Sequence, residues 1–423
     1  MDAPAPAGAG PAGTAAADPW WRVLCGVRQR EPAPQVVARA RAAAGGALGR
    51  AAQEAVCASL AADAALLAAG LCPDAAYCER VVKVLALAAE ADGEFLCDRL
   101  VELQSGLLIA GALPAAAGSP PAEGWCVKTY AYGNREGAAG GGGAAGDQGP
   151  AESKHGARQP RVPTVTLHLA LNLFEGSTGC HEWEAGFFLA EFVLGNPQRF
   201  RGKRCCELGA GAGVVGVALH RVGAKSVELT DGDAATVRNL ERNLGLNGIR
   251  CGAVDRVRRG SRVGAAFARA LDGASAAAGA AGSGRAAADR DDDAGDGSGS
   301  SSSGRCRVSC RVLSWEEAAQ GPLSCDVLVG SDLLYDPAVI PTLVEIFRGA
   351  RKPRAAAEGA EVWLATAVRN EATLDAFEAA AAKAGLVVRD ASKDGAESPV
   401  RFHHHLTLQR DKVRLHCITA PPR

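Results

Sequence analysis

Hydrophobic and polar positions fall into two regimes along the chain. In the first, from about residue 20 to 108, apolar residues recur at helical spacing: within 75–89, Cys78, Val81, Val82, Val84, Leu85 and Leu87 share one broad face. Asp92-Gly93 breaks this pattern, and a further helix is expected to begin near Glu94. In the second regime, short β-rich runs alternate with helical ones. Strands are expected at 204–208, 226–230, 308–314, 327–330, 362–368 and 386–388, with helices at 214–222, 234–246, 338–350 and 371–384. The run 402–409 reads as a terminal strand. Such alternation specifies parallel βαβ units, so the expected fold class is α/β, with ligands bound at the carboxyl ends of the strands.

Residues 1–19, 110–124, 135–160 and 260–304 interrupt these patterns with Gly, Ala, Pro and Ser, a composition that cannot bury enough apolar surface to offset chain ordering. The expected division is therefore 1–19 disordered, 20–108 a helical N-terminal region, 109–161 a mostly disordered linker, and 162–416 an α/β domain with a disordered insert at 260–304. The helical region offers no chemical constellation and reads as packing or partner docking.

Composition narrows the field. The 423 residues leave room for two or three domains, and 46 Lys+Arg against 47 Asp+Glu give a net charge of −1, so no global field draws the chain to nucleic acid or an anionic membrane. No run approaches the ~20 apolar residues that span a bilayer. No basic residue precedes Arg22, and a soluble cytoplasmic protein is expected. The 14 cysteines include no C-x-x-C, Cys205 and Cys206 are adjacent, and Cys306 and Cys310 sit on an expected strand. Reduced thiols follow, and no metal. His403-His404-His405 alternates faces, and Arg348, Arg351, Lys352 and Arg354 read as a solvated helix end.

The chemistry gathers at a few strand ends. Glu207-Leu208-Gly209-Ala210-Gly211-Ala212-Gly213 joins a strand to a helix, where glycines let the backbone approach a ligand and the helix N-terminus offers free amides. Gly211-x-Gly213-x-x-Gly216 also satisfies the dinucleotide fingerprint, so glycine spacing alone leaves the cofactor open. Glu207 is expected at the mouth of the site, tolerating a sulfonium or amino group and repelling a pyrophosphate. Asp231 ends the next strand, where a carboxylate can accept both ribose hydroxyls.

With these residues the chain resembles the seven-β-strand, class I S-adenosylmethionine-dependent methyltransferases, whose first motif is an acidic residue followed by Gly-x-Gly-x-Gly. Thr178-Gly179-Cys180-His181-Glu182-Trp183-Glu184-Ala185, the strand-end Trp315 and Ser331-Asp332-Leu333-Leu334-Tyr335 are similar to the eukaryotic protein-lysine methyltransferases with a D-x-x-Y motif, nearest the branch acting on elongation factor 2. The resemblance covers 162–416 well and 73–108 faintly. It implies a Rossmann-like, mostly parallel seven-stranded sheet with a terminal antiparallel strand, S-adenosylmethionine as cofactor, and elongation factor 2 as protein substrate. It also implies no direct nucleic-acid partner and no membrane. By the same resemblance Glu207, Gly209, Ala210, Gly211 and Gly213 form the cofactor turn, with Gly209 to Gly211 under the amino acid moiety; Asp231 holds the ribose; Trp183 and Trp315 contact the cofactor, Trp315 beside the adenine; and Ser331 lines the adenosine side.

Asp332 and Tyr335 are the expected catalytic pair. Asp332 follows the apolar run Val327-Leu328-Val329 and should emerge at the active end of the sheet, orienting a lysine nitrogen while Tyr335 assists and water removes the proton. Leu333-Leu334 lacks the two prolines of the Asn/Asp-Pro-Pro-Tyr type motif in DNA and glutamine methyltransferases, which disfavours a nucleic-acid substrate. Two competing functions are an NAD(P)-dependent Rossmann oxidoreductase and a non-catalytic binding module on the same fold.

Overall fold

The computed structural model describes residues 19–61, 75–112, 124–134, 162–172, 177–252, 306–321, 323–351, 360–403, 405 and 408–419. The expected disorder of 1–19 (save Pro19), 135–160 and 260–304 lies outside these residues.

Among the described residues the helical region comprises the helices Pro19–Arg28, Ala33–Ala43, Arg50–Ala61, Ala75–Ala91 and Asp98–Ala112. Their apolar stripes converge on a shared core in which Val23, Val36, Val56, Val81, Leu85 and Leu100 are fully buried. The helix expected from Glu94 starts at Asp98, after the left-handed Gly93.

The second core belongs to a seven-stranded sheet built from β3 (Arg204–Leu208), β4 (Ser226–Asp231), β5 (Arg307–Val312), β6 (Val327–Ser331), β7 (Glu361–Ala367), β8 (Val387–Asp390) and β10 (Val413–Thr419). Its order is β5-β4-β3-β6-β7-β10-β8. β3 pairs in parallel with both β4 and β6, and β10 runs antiparallel between β7 and β8. The chain winds outward from β3 toward β5 and then from β6 toward β7, so the β3/β6 boundary is the switch point where a crevice opens. Residues alternate across this sheet: Cys205 and Val227 enter one apolar layer, Cys206 and Leu328 the other.

Two corrections to the sequence reading arise here. The terminal strand is β10, not 402–409, because Val413, Leu415 and Ile418 form the run apolar enough to sit between two strands. Phe402 instead closes a three-residue strand, β9 (Val400–Phe402). The second concerns the expected linker 109–161, which contains β1 (Trp125–Asn134). Strand β1 pairs antiparallel with β2 (Thr164–Ala170) and β9, giving a separate sheet ordered β2-β1-β9.

Asparagine side chains fasten β2 to the domain. Asn239, Asn243 and Asn247 recur every fourth residue on and just beyond the helix Ala234–Leu246, and so share one face. Asn247 accepts from the Thr166 N–H at 3.0 Å and donates to its carbonyl at 2.7 Å, while Asn243 accepts from the His168 N–H at 2.7 Å. The amides thus satisfy a strand edge as a neighbouring strand would. Gln29 of the helical region donates to the His403 carbonyl at 2.9 Å, joining the two cores.

Candidate active site

Strand β3 ends in a turn that only glycine fills without strain. Gly209, Gly211 and Gly213 have φ of +60°, +51° and +89°. A Cβ on Gly211 would stand 3.1 Å from the Gly179 carbonyl oxygen, so this turn and the 177–180 turn pass each other at backbone contact. Ala210 N–H bonds the Thr230 carbonyl at 2.9 Å, extending the β3/β4 ladder into the turn. Asp231, at the end of β4, accepts Gly211 N–H on Oδ2 and Asp233 N–H on Oδ1, both at 3.1 Å. Each oxygen keeps a lone pair for a ligand.

Strand β6 ends in Ser331 and Asp332. Asp332 N–H continues the ladder to the Ala365 carbonyl at 2.9 Å, and Oδ1 accepts Ala367 N–H at 2.9 Å. Its φ is +53°, a left-handed conformation that aspartate tolerates better than most residues. The next residue explains why the turn holds: Leu333 is 2% exposed, and a Cβ on Gly209 or Gly330 would meet its methyls at 2.7 and 2.6 Å. Two glycines leave the space that Leu333 fills, locking the β6 turn against β3.

These ends frame a cleft of about 580 Å³. Trp183, Gly209, Gly211, Asp231, Trp315, Ser331, Asp332 and Tyr335 all line it. Trp183 is oriented by its indole N–H, which donates to the Thr178 carbonyl at 2.9 Å. Trp315 opens a short helix, Trp315–Gln320, instead of ending a strand, because Ser314 and Glu317 form a reciprocal capping box. Tyr335, 67% exposed, holds its ring 6.0 Å from Trp315.

Three expected residues stand elsewhere. Ala210 and Gly213 support the turn from beneath and do not line the cleft. Glu207 is 1% exposed, which corrects its expected place at the mouth. Alternation puts it on the Cys205 side of β3, facing the helix Val214–Arg221 and not the ligand crevice. Burial, reinforced by the nearby Asp231 charge, raises the Glu207 carboxyl well above the ordinary glutamate range.

The electrostatics of the cleft come from other residues. Asp231, Asp233, Glu316 and Asp332 face it with one cation among the described lining residues, Arg369. Burial pushes the carboxyls of Asp231 and Asp332 upward, opposed in both by backbone N–H donors and in Asp332 also by Arg369. Sequence reasoning missed Arg369, which stacks 5.1 Å over Trp183 and reaches Asp332 Oδ2 at 3.4 Å. The available signal was the one used for Asp231 and Asp332: a charged residue just beyond an apolar strand, here β7.

An S-adenosyl nucleoside fits this donor set. Asp231 offers paired acceptors for vicinal hydroxyls, the indoles of Trp183 and Trp315 offer flat apolar faces, and the acidic lining favours a cation over a pyrophosphate. Among the described residues no group of three or more His, Cys, Asp or Glu is placed to hold a metal.

Comparison with known proteins agrees with this geometry. Residues 163–257 match the lysine methyltransferase family model. The chain is 26% identical over 243 residues to the human protein-lysine N-methyltransferase EEF2KMT, covering 56% of this chain and 60% of that protein. It is 26% identical over 229 residues to the protein-lysine N-methyltransferase EFM3 of Chaetomium thermophilum, covering 53% and 54% of the two chains. The chain thus spans less than two thirds of the length of these relatives. The solved Thermus thermophilus 16S rRNA N2 G1207 methyltransferase, in complex with AdoMet and guanosine, aligns over 61% of this chain and 48% of that one, at 13% identity and a TM-score of 0.35. As the motifs lead one to expect, residues 163–257 match the lysine methyltransferase family model and the chain is similar to protein-lysine methyltransferases.

Proposed function

We propose that this protein is an S-adenosylmethionine-dependent protein-lysine N-methyltransferase acting in the cytoplasm on elongation factor 2. The observation that carries the reading is the convergence of Asp231, Trp183, Trp315 and Asp332 on one acidic cleft at the β3/β6 switch point. Support for a protein lysine comes from the family match and from the D-x-x-Y turn; support for elongation factor 2 comes from the motif resemblance and from similarity to the human relative. Among the described residues no helix is long and apolar enough to cross a membrane.

Bound S-adenosylmethionine supplies a methyl group on a positively charged sulfur, open to an amine lone pair. Asp231 holds the ribose hydroxyls, and Trp183 and Trp315 enclose the flat and apolar parts. The acceptor lysine, with a pKa of ~10.4, is neutral in only about one molecule in a thousand near pH 7.4, so a proton must leave before its lone pair can attack. Asp332 attracts the ammonium, keeps a hydrogen bond to the nitrogen after its proton leaves to water, and fixes the line of attack. Tyr335 bounds the acceptor side with its exposed ring and hydroxyl.

The test incubates purified protein with methyl-labelled S-adenosylmethionine and elongation factor 2, and locates the label by mass spectrometry. Label on a lysine side chain is expected. A folded protein that binds S-adenosylhomocysteine yet labels no lysine of elongation factor 2 would overturn the substrate assignment.

A further inference from the structure

Arg369 occupies an unusual position: it bridges a residue assigned to the cofactor and one assigned to the acceptor. Its guanidinium lies 5.1 Å over the Trp183 ring and donates to Asp332 Oδ2 at 3.4 Å. Asp332 Oδ1 already accepts Ala367 N–H, and Oδ2 is the oxygen that Arg369 reaches. The two side chains differ in freedom: Asp332 is 7% exposed and Arg369 52%. A long ion pair with one half-exposed partner is weak and exchanges readily. The carboxylate stays in place while the arginine can leave.

We propose that Arg369 is the specificity-determining residue of the acceptor end, a resident cation that holds the seat beside Asp332 until a substrate ammonium displaces it. The inference rests on the methyltransferase reading and adds to it a criterion for the acceptor. A lysine, as a compact cation with three donors, replaces what the guanidinium gives Asp332. A hydroxyl, thiol or amide offers no compensating charge and leaves the pair closed. The stack on Trp183 gives the guanidinium its alternative contact, favourable even when Asp332 is taken.

The test uses two probes on the full chain: S-adenosylhomocysteine, and its analogue bearing a primary amine where the donor methyl stands. Calorimetry on wild type and Arg369→Gln should show S-adenosylhomocysteine bound within about twofold, and the amine analogue about three- to fivefold more tightly by the variant, the scale of an exposed ion pair. Arg369→Lys, which keeps a cation, should return the ratio toward wild type. An unchanged ratio in Arg369→Gln overturns the proposal, as does loss of S-adenosylhomocysteine binding there, which would make the arginine a cofactor ligand. Wild type that fails to bind S-adenosylhomocysteine overturns the underlying methyltransferase reading as well.

Discussion

Asp332 accepts the backbone N–H of Ala367 through Oδ1 at 2.9 Å, so the candidate catalytic carboxylate is fastened to the neighbouring strand and not carried on a free loop. The side chain therefore enters the cleft with its orientation already set, and little ordering remains for the substrate to supply.

Replacing Asp332 separates its chemistry from its backbone role. Asn tolerates the φ of +53° and can still accept from Ala367 through its amide oxygen, but it carries no charge for an ammonium. Asp332→Asn is expected to slow methyl transfer by about a hundredfold or more while S-adenosylhomocysteine affinity changes by less than about threefold. Single-turnover kinetics beside calorimetry reads both quantities. Equal losses in both would assign Asp332 to the cofactor.

Asp231 acts on the other side of the cleft. In Asp231→Asn the side-chain nitrogen cannot accept from Gly211 or Asp233, so one tether of the glycine turn is lost along with the charge. Cofactor affinity is expected to fall about ten- to hundredfold, as for hydrogen bonds to a charged group. Calorimetry with S-adenosylhomocysteine measures it, and affinity equal to wild type would remove Asp231 from the site.

Leu333 links stability to activity. Leu333→Ala empties the space between Gly209 and Gly330 and should cost about 2–5 kcal/mol in unfolding free energy, as for a fully buried leucine. Because the same side chain pins the turn holding Asp332, transfer should fall even well below the melting temperature. Denaturant unfolding and activity at low temperature check the two effects separately.

His405 makes stability pH-dependent. Its half-buried ring stacks 5.1 Å from Tyr130, and desolvation lowers its pKa from 6.5 to about 4, with Glu182 opposing the shift and Lys128 and Arg410 adding to it. Between these values the unfolded chain holds a proton that the folded chain does not. The contribution is therefore complete above pH 6.5 and lost as pH falls toward 4, by roughly 3 kcal/mol across the window. His405→Phe keeps an aromatic ring and removes the titration. Unfolding curves at pH 7 and 4.5 should show wild type losing more stability than the variant on acidification, and parallel losses would contradict this.

The parallel half of the sheet was legible because β3, β6 and β7 are almost wholly buried and largely apolar, β4 alternates buried with half-exposed positions, and charged residues stand at or just beyond the ends of β4, β6 and β7. That same rule located Asp231 and Asp332, and applied to β7 it also yields Arg369. The pairing of β1 with β9, nearly 270 residues away, was not legible, since no local signal encodes a long-range strand partner. Glu207 was misplaced for a different reason. Its position in the motif says that it adjoins the turn, but only the register of β3 says which face of the sheet it meets. Trp315 was expected at the end of the 308–314 strand, whereas the capping box of Ser314 with Glu317 makes it the first residue of a helix.

Calorimetric titration of the wild-type protein with S-adenosylhomocysteine and, separately, with NAD confronts the assignment of the cleft most directly. Micromolar, one-to-one binding of S-adenosylhomocysteine with none of NAD is the expected result. Binding of NAD, or of neither nucleotide by the folded chain, would contradict the identification of the acidic cleft between β3 and β6 as a seat for a sulfonium nucleoside.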